Sequence, residues 1–295
     1  MEIIRIKNND YKMQVSSLDA TIGAYDGIHQ GHIAVIDELV NKKISKYTAV
    51  ITFESHPDIF LQKRNDDGVI ETIEEKAEIF GKLGVDYLIV LDNDFLNYSY
   101  QDFNDFLKNL KVIRIVVGED FVYGKGLGGS PHTLRRNFIV KTVDLVKNDD
   151  EKLSSTSVRN ALKLGDIEFV NKILNEEFSI SGIAQKGSDE DSLLGYKTVT
   201  LECGEKYHEL RYGVYKVNVV INDKEYLGIS NFGVNPTVNK LDVPRLELFV
   251  FDYENDISNK QVKVKFIKFI RDEQQFTNIE ELKKQIEEDI KIIGE

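Results

Sequence analysis

Short apolar runs alternate with stretches of helical spacing along the first half of the chain. "DATIG" (19–23), "YTAVITF" (47–53), "DYLIVL" (86–91), "IRIVVG" (113–118) and "FIVKTVDLV" (138–146) are rich in Val and Ile and read as buried strands. Between them, "HIAVIDELVNKKI" (32–44), "TIEEKAEIFGKLG" (72–84) and "YQDFNDFLKNL" (100–110) repeat apolar residues three and four apart, the mark of an amphipathic helix. Gly84 stands where a helix C-terminus favours glycine. Strands alternating with helices predict an α/β unit with an open parallel sheet covered on both faces. Such sheets take ligands at the carboxyl ends of their strands.

The pattern changes after about residue 178. "GVYKVNVVINDKEYLGISNFG" (213–233) holds two strand-like runs around Asn222-Asp223, a hairpin-type turn, and "RLELFVFDYENDISNKQVKVKFIKFI" (245–270) repeats the form. Short antiparallel strands predict a small β-barrel. In "TNIEELKKQIEEDIKII" (277–293), Thr277 and Glu280 have capping-box spacing, and Ile279, Leu282, Ile286 and Ile290 form one apolar stripe of a terminal helix. Two domains follow, 1–178 and 179–295, joined near "NEEFSISG" (175–182).

Composition narrows the classes of function. The 295 residues carry a formal net charge of -12, so the chain as a whole repels phosphate backbones, and nucleic acid is not an expected partner. A local pocket for a small phosphate ligand remains open. A single cysteine, Cys203, excludes an intrachain disulfide and suits a reducing compartment. No apolar run approaches the roughly 20 residues that cross a bilayer, and "MEIIRIKNNDYKM" lacks the apolar segment of a signal peptide. A cytoplasmic protein without membrane contact is expected; oligomeric state is left open.

The chemistry concentrates in "GAYDGIHQGH" (23–32), between a strand and a helix expected to start near His32. Gly23 ends the strand, and Gly27 and Gly31 let backbone approach a ligand. Amides at the helix start would form an anion site, flanked by His29 and His32. A metal centre would need a third and usually a fourth ligand beside Asp26, and no H-E-x-x-H or cysteine cluster supplies them. Two histidines satisfied at a helix start are the structural alternative, less natural for H-x-G-H in this setting. In "SSTSVRNAL" (154–162), Ser and Thr read as helix caps and Arg159 as a first-turn cation, which a phosphate explains better than helix stability. "GEDFVYGKGLGGS" (118–130) is glycine-rich but lacks P-loop spacing.

Asp26 to His32 resembles the signature of the nucleotidylyltransferase superfamily. Taken with "VITFESHP" (50–57), "VVGEDFVYGKG" (116–126) and "SSTSVRNAL", it resembles, in order and spacing, the bacterial bifunctional riboflavin kinase/FAD synthetase family. The resemblance covers nearly the whole chain. It implies an N-terminal Rossmann-like nucleotidylyltransferase domain with a parallel sheet, and a C-terminal antiparallel β-barrel of riboflavin-kinase type with a terminal helix. It also implies FMN adenylyltransferase activity with ATP and FMN as substrates and Mg²⁺ as cofactor. The implied catalytic residues are His29, His32 and Arg159. ATP would be held by Gly23, Asp26, Gly31, Ser154, Ser155 and Thr156, and flavin by His56, Asp120 and Phe121.

In the barrel, "GYKTVTLE" (195–202) stands where the family carries G-F-P-T-A-N. Gly195 and Thr198 fit. Lys197 replaces proline, Val199 alanine and Thr200 asparagine, and "KGSDEDSLLG" (186–195) adds acidic residues. "GVY" (213–215), "NFGVNPT" (231–237) with Pro236 and Thr237, and "FIRDEQQF" (269–276) match. Thr198 is the implied Mg²⁺ ligand and Glu247 the implied general base. A threonine hydroxyl is a shorter ligand than an asparagine carbonyl, and Mg²⁺ tolerates little distortion. The resemblance, read with these departures, implies an FAD synthetase with an impaired kinase domain. The alternatives are the fully bifunctional enzyme, acting also on riboflavin, and a flavin-binding regulatory protein without turnover.

Overall fold

The computed structural model describes all residues except 9–10, 61–67, 145–146, 149–150, 153, 175, 187–197, 203–206, 208–209, 234–244, 254, 275, 277 and 295. The side chains of 147–148, 151–152, 186, 202 and 279 are likewise not described. Two compact units result, Met1–Ser155 and Thr156–Glu295. The strand pattern alone put the change of domain at 178/179.

The first unit is built on β1 (Glu2–Ile6), β2 (Leu18–Ile22), β3 (Tyr47–Phe53), β4 (Tyr87–Leu91), β5 (Val112–Gly118) and β6 (Ile139–Val143). They form one parallel sheet in the order β1-β4-β3-β2-β5-β6. Its helices are α1 (Gln30–Asn41), α2 (Pro57–Phe60), α3 (Ile73–Lys82), α4 (Tyr100–Asn109) and α5 (Pro131–Leu134). Strand residues alternate between two cores. Ile89 and Leu91 pack with Phe103, Phe106 and Leu107 of α4, while Leu88 and Val90 pack with Ile36 of α1 and Ile79 and Phe80 of α3. This double covering explains why the strands read as continuous apolar runs. Edge strand β1 escapes the periodicity because only Ile6 is fully buried. The one-turn α2 and α5 are too short to show a helical repeat. Strand order reverses at β2, whose neighbours β3 and β5 lie on opposite sides, so the crevice beyond its carboxyl end is the favoured ligand position.

A two-residue pair, β7 (Lys147–Asn148) with β8 (Glu151–Lys152), precedes α6 (Ser155–Leu164) and α7 (Ile167–Ile173). The second unit is a closed antiparallel barrel of β9 (Ser179–Lys186), β10 (Thr198–Glu202), β11 (Gly213–Ile221), β12 (Lys224–Gly233), β13 (Arg245–Val250) and β14 (Gln261–Arg271). Asn222 and Asp223 both have positive φ (49° and 62°), the two-residue geometry that a tight hairpin requires. Gly213, at φ +149°, passes so close to β14 that a Cβ would lie 2.3 Å from the Arg271 carbonyl oxygen. Helix α7 is tied to the barrel by Asn171, whose Nδ2 donates to the Phe266 carbonyl and whose Oδ1 accepts from Phe178 N–H, both at 2.8 Å.

The terminal helix, α8 (Ile279–Gly294), docks through Ile293 onto Val214 and Ile229. Arg271 binds buried Asp289 through two donors, at 2.7 and 2.9 Å. Leu282, Ile286 and Ile290 are half-buried; Thr277 lies outside the described residues. No described helix is long and apolar enough to cross a membrane.

Candidate active site

The chain leaves β2 at Ile22 and turns sharply. Tyr25 adopts φ +48° and swings its ring back over Gly23, where a Cβ would meet the ring at 2.9 Å. The Tyr25 hydroxyl reaches Thr21 Oγ1 at 2.5 Å, and burial raises its pKa. Asp26 is buried, and its Oδ1 accepts from Ile70 N–H at 2.7 Å. Gly27 follows at φ +72°.

Helix α1 begins at Gln30, two residues earlier than expected, because His29 itself caps it. Its Nδ1 accepts from Gly31 N–H (3.1 Å) and His32 N–H (3.4 Å). The cap settles the tautomer: Nδ1 is an acceptor, so the neutral ring carries its proton on Nε2. It also explains Gly31, where a Cβ would lie 3.1 Å from the His29 ring. His32 stacks on His29 with centroids 3.8 Å apart and lies 5.0 Å from Tyr25. Desolvation pushes His29 down to about 4 and, with repulsion from His29 and Lys76, pushes His32 down to about 3. Both rings are therefore neutral at pH 7. His32 Nδ1 is buried without a hydrogen-bond partner, a costly state.

The open anion site expected from helix amides is thus partly filled in this conformation. Two α1 amides serve His29, and the amides of Gly27 and Ile28 serve the carboxylate of Glu71. Glu71 carries no motif signal. It lies over forty residues from the loop it holds, and its sequence context shows only a position before a helix.

Other expected residues divide. Ser155 Oγ donates to the Asp26 carbonyl, joining the start of α6 to the histidine loop. Arg159 is at the fifth position of α6, one past the first turn, because the helix starts at Ser155. It is buried, not solvated, and desolvation lowers its pKa to about 10. Thr156 and Arg159 belong to the second compact unit, and Ser154 to the first. Asp120 is exposed and Phe121 half-buried in the turn after β5, the strand beside β2. The glycine-rich loop is closed by Tyr123 and Gly129, which exchange backbone hydrogen bonds at 3.2 and 2.9 Å. His56 caps α2, its Nδ1 accepting from Asp58 N–H at 3.1 Å.

In the barrel, Thr200 is directly opposite Glu247, and Thr198 opposite Phe249, across β10 and β13. Val199, Leu201, Leu246 and Leu248 point into the core, so Thr198, Thr200 and Glu247 share the outer face. Gly195, Lys197, the acidic stretch 187–195, Pro236 and Thr237 lie outside the described residues. Among the described residues no group of three or more His, Cys, Asp or Glu is placed to hold a metal ion.

Comparison with known proteins gives the class: residues 12–157 match the model for FAD synthetase, and residues 174–295 the model for riboflavin kinase. The chain is 32% identical over 278 residues to the bifunctional riboflavin kinase/FMN adenylyltransferase of Listeria monocytogenes, covering 91% of this chain and 88% of the relative. Identity is 30% with that of Bacillus subtilis (91% and 89% covered) and 29% with that of Escherichia coli K12 (98% and 96%). A crystal structure described as a macrolide-efflux protein from Streptococcus pneumoniae superposes with a TM-score of 0.87 at 27% identity, over 99% of each chain. The chain belongs to the bifunctional riboflavin kinase/FMN adenylyltransferase family. It carries an FMN adenylyltransferase domain and is a transferase of FAD biosynthesis. The expectation of an impaired kinase gains no support from these matches; the bifunctional alternative does.

Proposed function

We propose that the chain catalyses both steps, phosphorylation of riboflavin to FMN and transfer of AMP from ATP to FMN, in the cytoplasm. In the second step an FMN phosphate oxygen attacks the α-phosphorus of ATP. The bond to the bridging oxygen breaks and pyrophosphate leaves. The attacking group is already an anion, so no protein nucleophile or base is required. The reading rests on the stacked His29–His32 pair at the reversal of strand order beyond β2.

Here the neutral His29 imidazole acts as a hydrogen-bond donor to the charge that builds on phosphate oxygens, with the His32 ring stacked against it. The donor would be His29 Nε2–H; the single N–H of the neutral His32 ring is engaged by the Gly27 backbone, so His32 would act by holding the stacked His29 ring in place. Ser154 and Ser155 would hold the phosphate chain with Gly23, Asp26 and Gly31, and Thr156 and Arg159 keep the phosphate-binding roles that the family resemblance implies. Asp120, Phe121 and His56 are assigned to the flavin side. The oxygen donors present suit Mg²⁺ bound chiefly by ATP phosphates and water, with Thr198 as protein ligand in the barrel, where the ion would neutralise phosphate charge. Glu247 would take the proton of the riboflavin hydroxyl that receives phosphate. Its position opposite Thr200 and beside Thr198 on one barrel face supports a shared kinase site.

Two assays test the proposal: ATP with FMN, and ATP with riboflavin, with products resolved by chromatography. Both FAD and FMN are expected. FAD without FMN would return the barrel to a non-kinase role, and neither product would leave a flavin-binding protein without turnover.

A further inference from the structure

The loop that carries the histidines is held by a group outside it. Glu71 Oε2 accepts from Gly27 N–H at 2.7 Å, and its Oε1 and Oε2 accept from Ile28 N–H at 2.9 and 3.1 Å. In return, Asp26 Oδ1 accepts from Ile70 N–H at 2.7 Å. The two segments clamp each other. Glu71 is not needed to cap α3, because Thr72 and Glu75 already form a complete capping box there.

The Gly27–Ile28 peptide is the pivot. Its N–H end is bound to Glu71. Its other end is the Gly27 carbonyl, and the Gly27 backbone hydrogen-bonds the His32 ring in the sense that favours a protonated nitrogen, as an acceptor does. A peptide is one planar unit, so turning it disturbs both contacts together. The carboxylate thereby sets the plane against which His32 lies, and His32 in turn stacks on His29.

We propose that Glu71 is a positioning residue for adenylyl transfer, fixing His32 and the start of α1 through the Gly27–Ile28 peptide. This rests on the roles given above to the two histidines. The charged and titratable groups around Glu71 are Lys76 and Glu75 of α3, Asp26, and the neutral His29 and His32. Burial raises the Glu71 carboxyl to about 7, against the pull of the two amides and Lys76 and with a small push from Glu75. A carboxylate holds amides more firmly than the neutral acid, so the loop tightens as pH rises through about 7.

The test uses the full chain with Glu71→Gln, which keeps shape but leaves one acceptor oxygen, and Glu71→Ala. Glu71→Gln is expected to lower kcat for FAD formation by about tenfold to a hundredfold, as small misplacements do, with the KM for ATP little changed. Wild-type kcat should rise with pH through about 7, and the Gln variant should lack that limb. Amide NMR supplies a readout independent of turnover: the Gly27 and Ile28 N–H resonances should titrate near pH 7 in the wild type and stay fixed in Glu71→Gln. Resonances that do not titrate, or a Gln variant that keeps both kcat and the pH limb, overturn the proposal. Loss of stability with kcat intact makes Glu71 merely structural and overturns it too. If the amides titrate but His29→Ala and His32→Ala leave FAD formation unchanged, the histidine roles fall while the clamp stands.

Discussion

The imidazoles of His29 and His32 lie face to face, 3.8 Å apart and inclined by only 15°, and the first caps the helix that carries the second. Stacking at that distance would be repulsive between two imidazolium ions. Desolvation removes the conflict by holding both rings neutral. Neither ring therefore supplies a fixed positive charge at pH 7.

His29→Ala is expected to lower kcat for FAD formation by about 10²–10³, the effect of losing one donor to transition-state charge. His32→Ala is expected to lower it by about tenfold to a hundredfold, through misplacing the stacked His29 ring. The variants should remain folded by circular dichroism. Full activity in a folded double variant would remove the histidines from the mechanism.

Gly31→Ala separates geometry from stability. Alanine gains about 0.8–1 kcal/mol of helix propensity over glycine. Displacing the His29 ring weakens a cap worth about 0.5–2 kcal/mol. The urea midpoint should move little while FAD formation falls. An unchanged rate would mean that the ring tolerates the added methyl group.

The same groups set a pH dependence of stability. The folded pKa values of His29 and His32 lie below the ordinary 6.5, so the unfolded chain binds more protons between about pH 6.5 and 3. Stability from these two groups is complete above 6.5 and is lost as pH falls through that window. Glu71, raised from 4.5 to about 7, acts in the opposite sense: its contribution is complete below 4.5 and is lost as pH rises through 7. Relative to wild type, His29→Asn/His32→Asn should shift the balance of urea midpoints toward pH 5 over pH 7, and Glu71→Gln toward pH 7. Parallel shifts in both variants would contradict this division.

Glu247→Gln is expected to abolish FMN formation from riboflavin while leaving FAD formation from added FMN within about twofold, because the proposed adenylyl transfer gives Glu247 no part. A coupled loss of both products would argue against separate sites.

Asp289→Ala removes the buried carboxylate that Arg271 binds. Breaking a buried pair typically costs about 3–5 kcal/mol, so the barrel unit should unfold at markedly lower urea, with α8 cleaved early by protease. A change below about 1 kcal/mol would show that Ile293 and its apolar neighbours hold the helix without the ion pair.

Periodicity alone determined the parallel sheet, the barrel and the terminal helix, because burial on two faces, on one face or along one stripe each leaves its own repeat. "YTAVITF" coincides with β3 from end to end, and Asn222-Asp223 marked its turn by its need for positive φ. The histidine motif was legible because its chemistry is local: cap, glycine and stacked partner lie within four residues. Only tertiary structure decided the rest. It showed that His29 consumes the helix amides that an isolated reading left free for phosphate. It buried Arg159, and it lined up Thr200 with Glu247 through a strand register that no local pattern encodes. It also brought Glu71 to Gly27 and Ile28 across more than forty residues. A carboxylate that binds backbone leaves no trace in sequence, since any residue offers the same N–H, and only the fold decides which amides it meets.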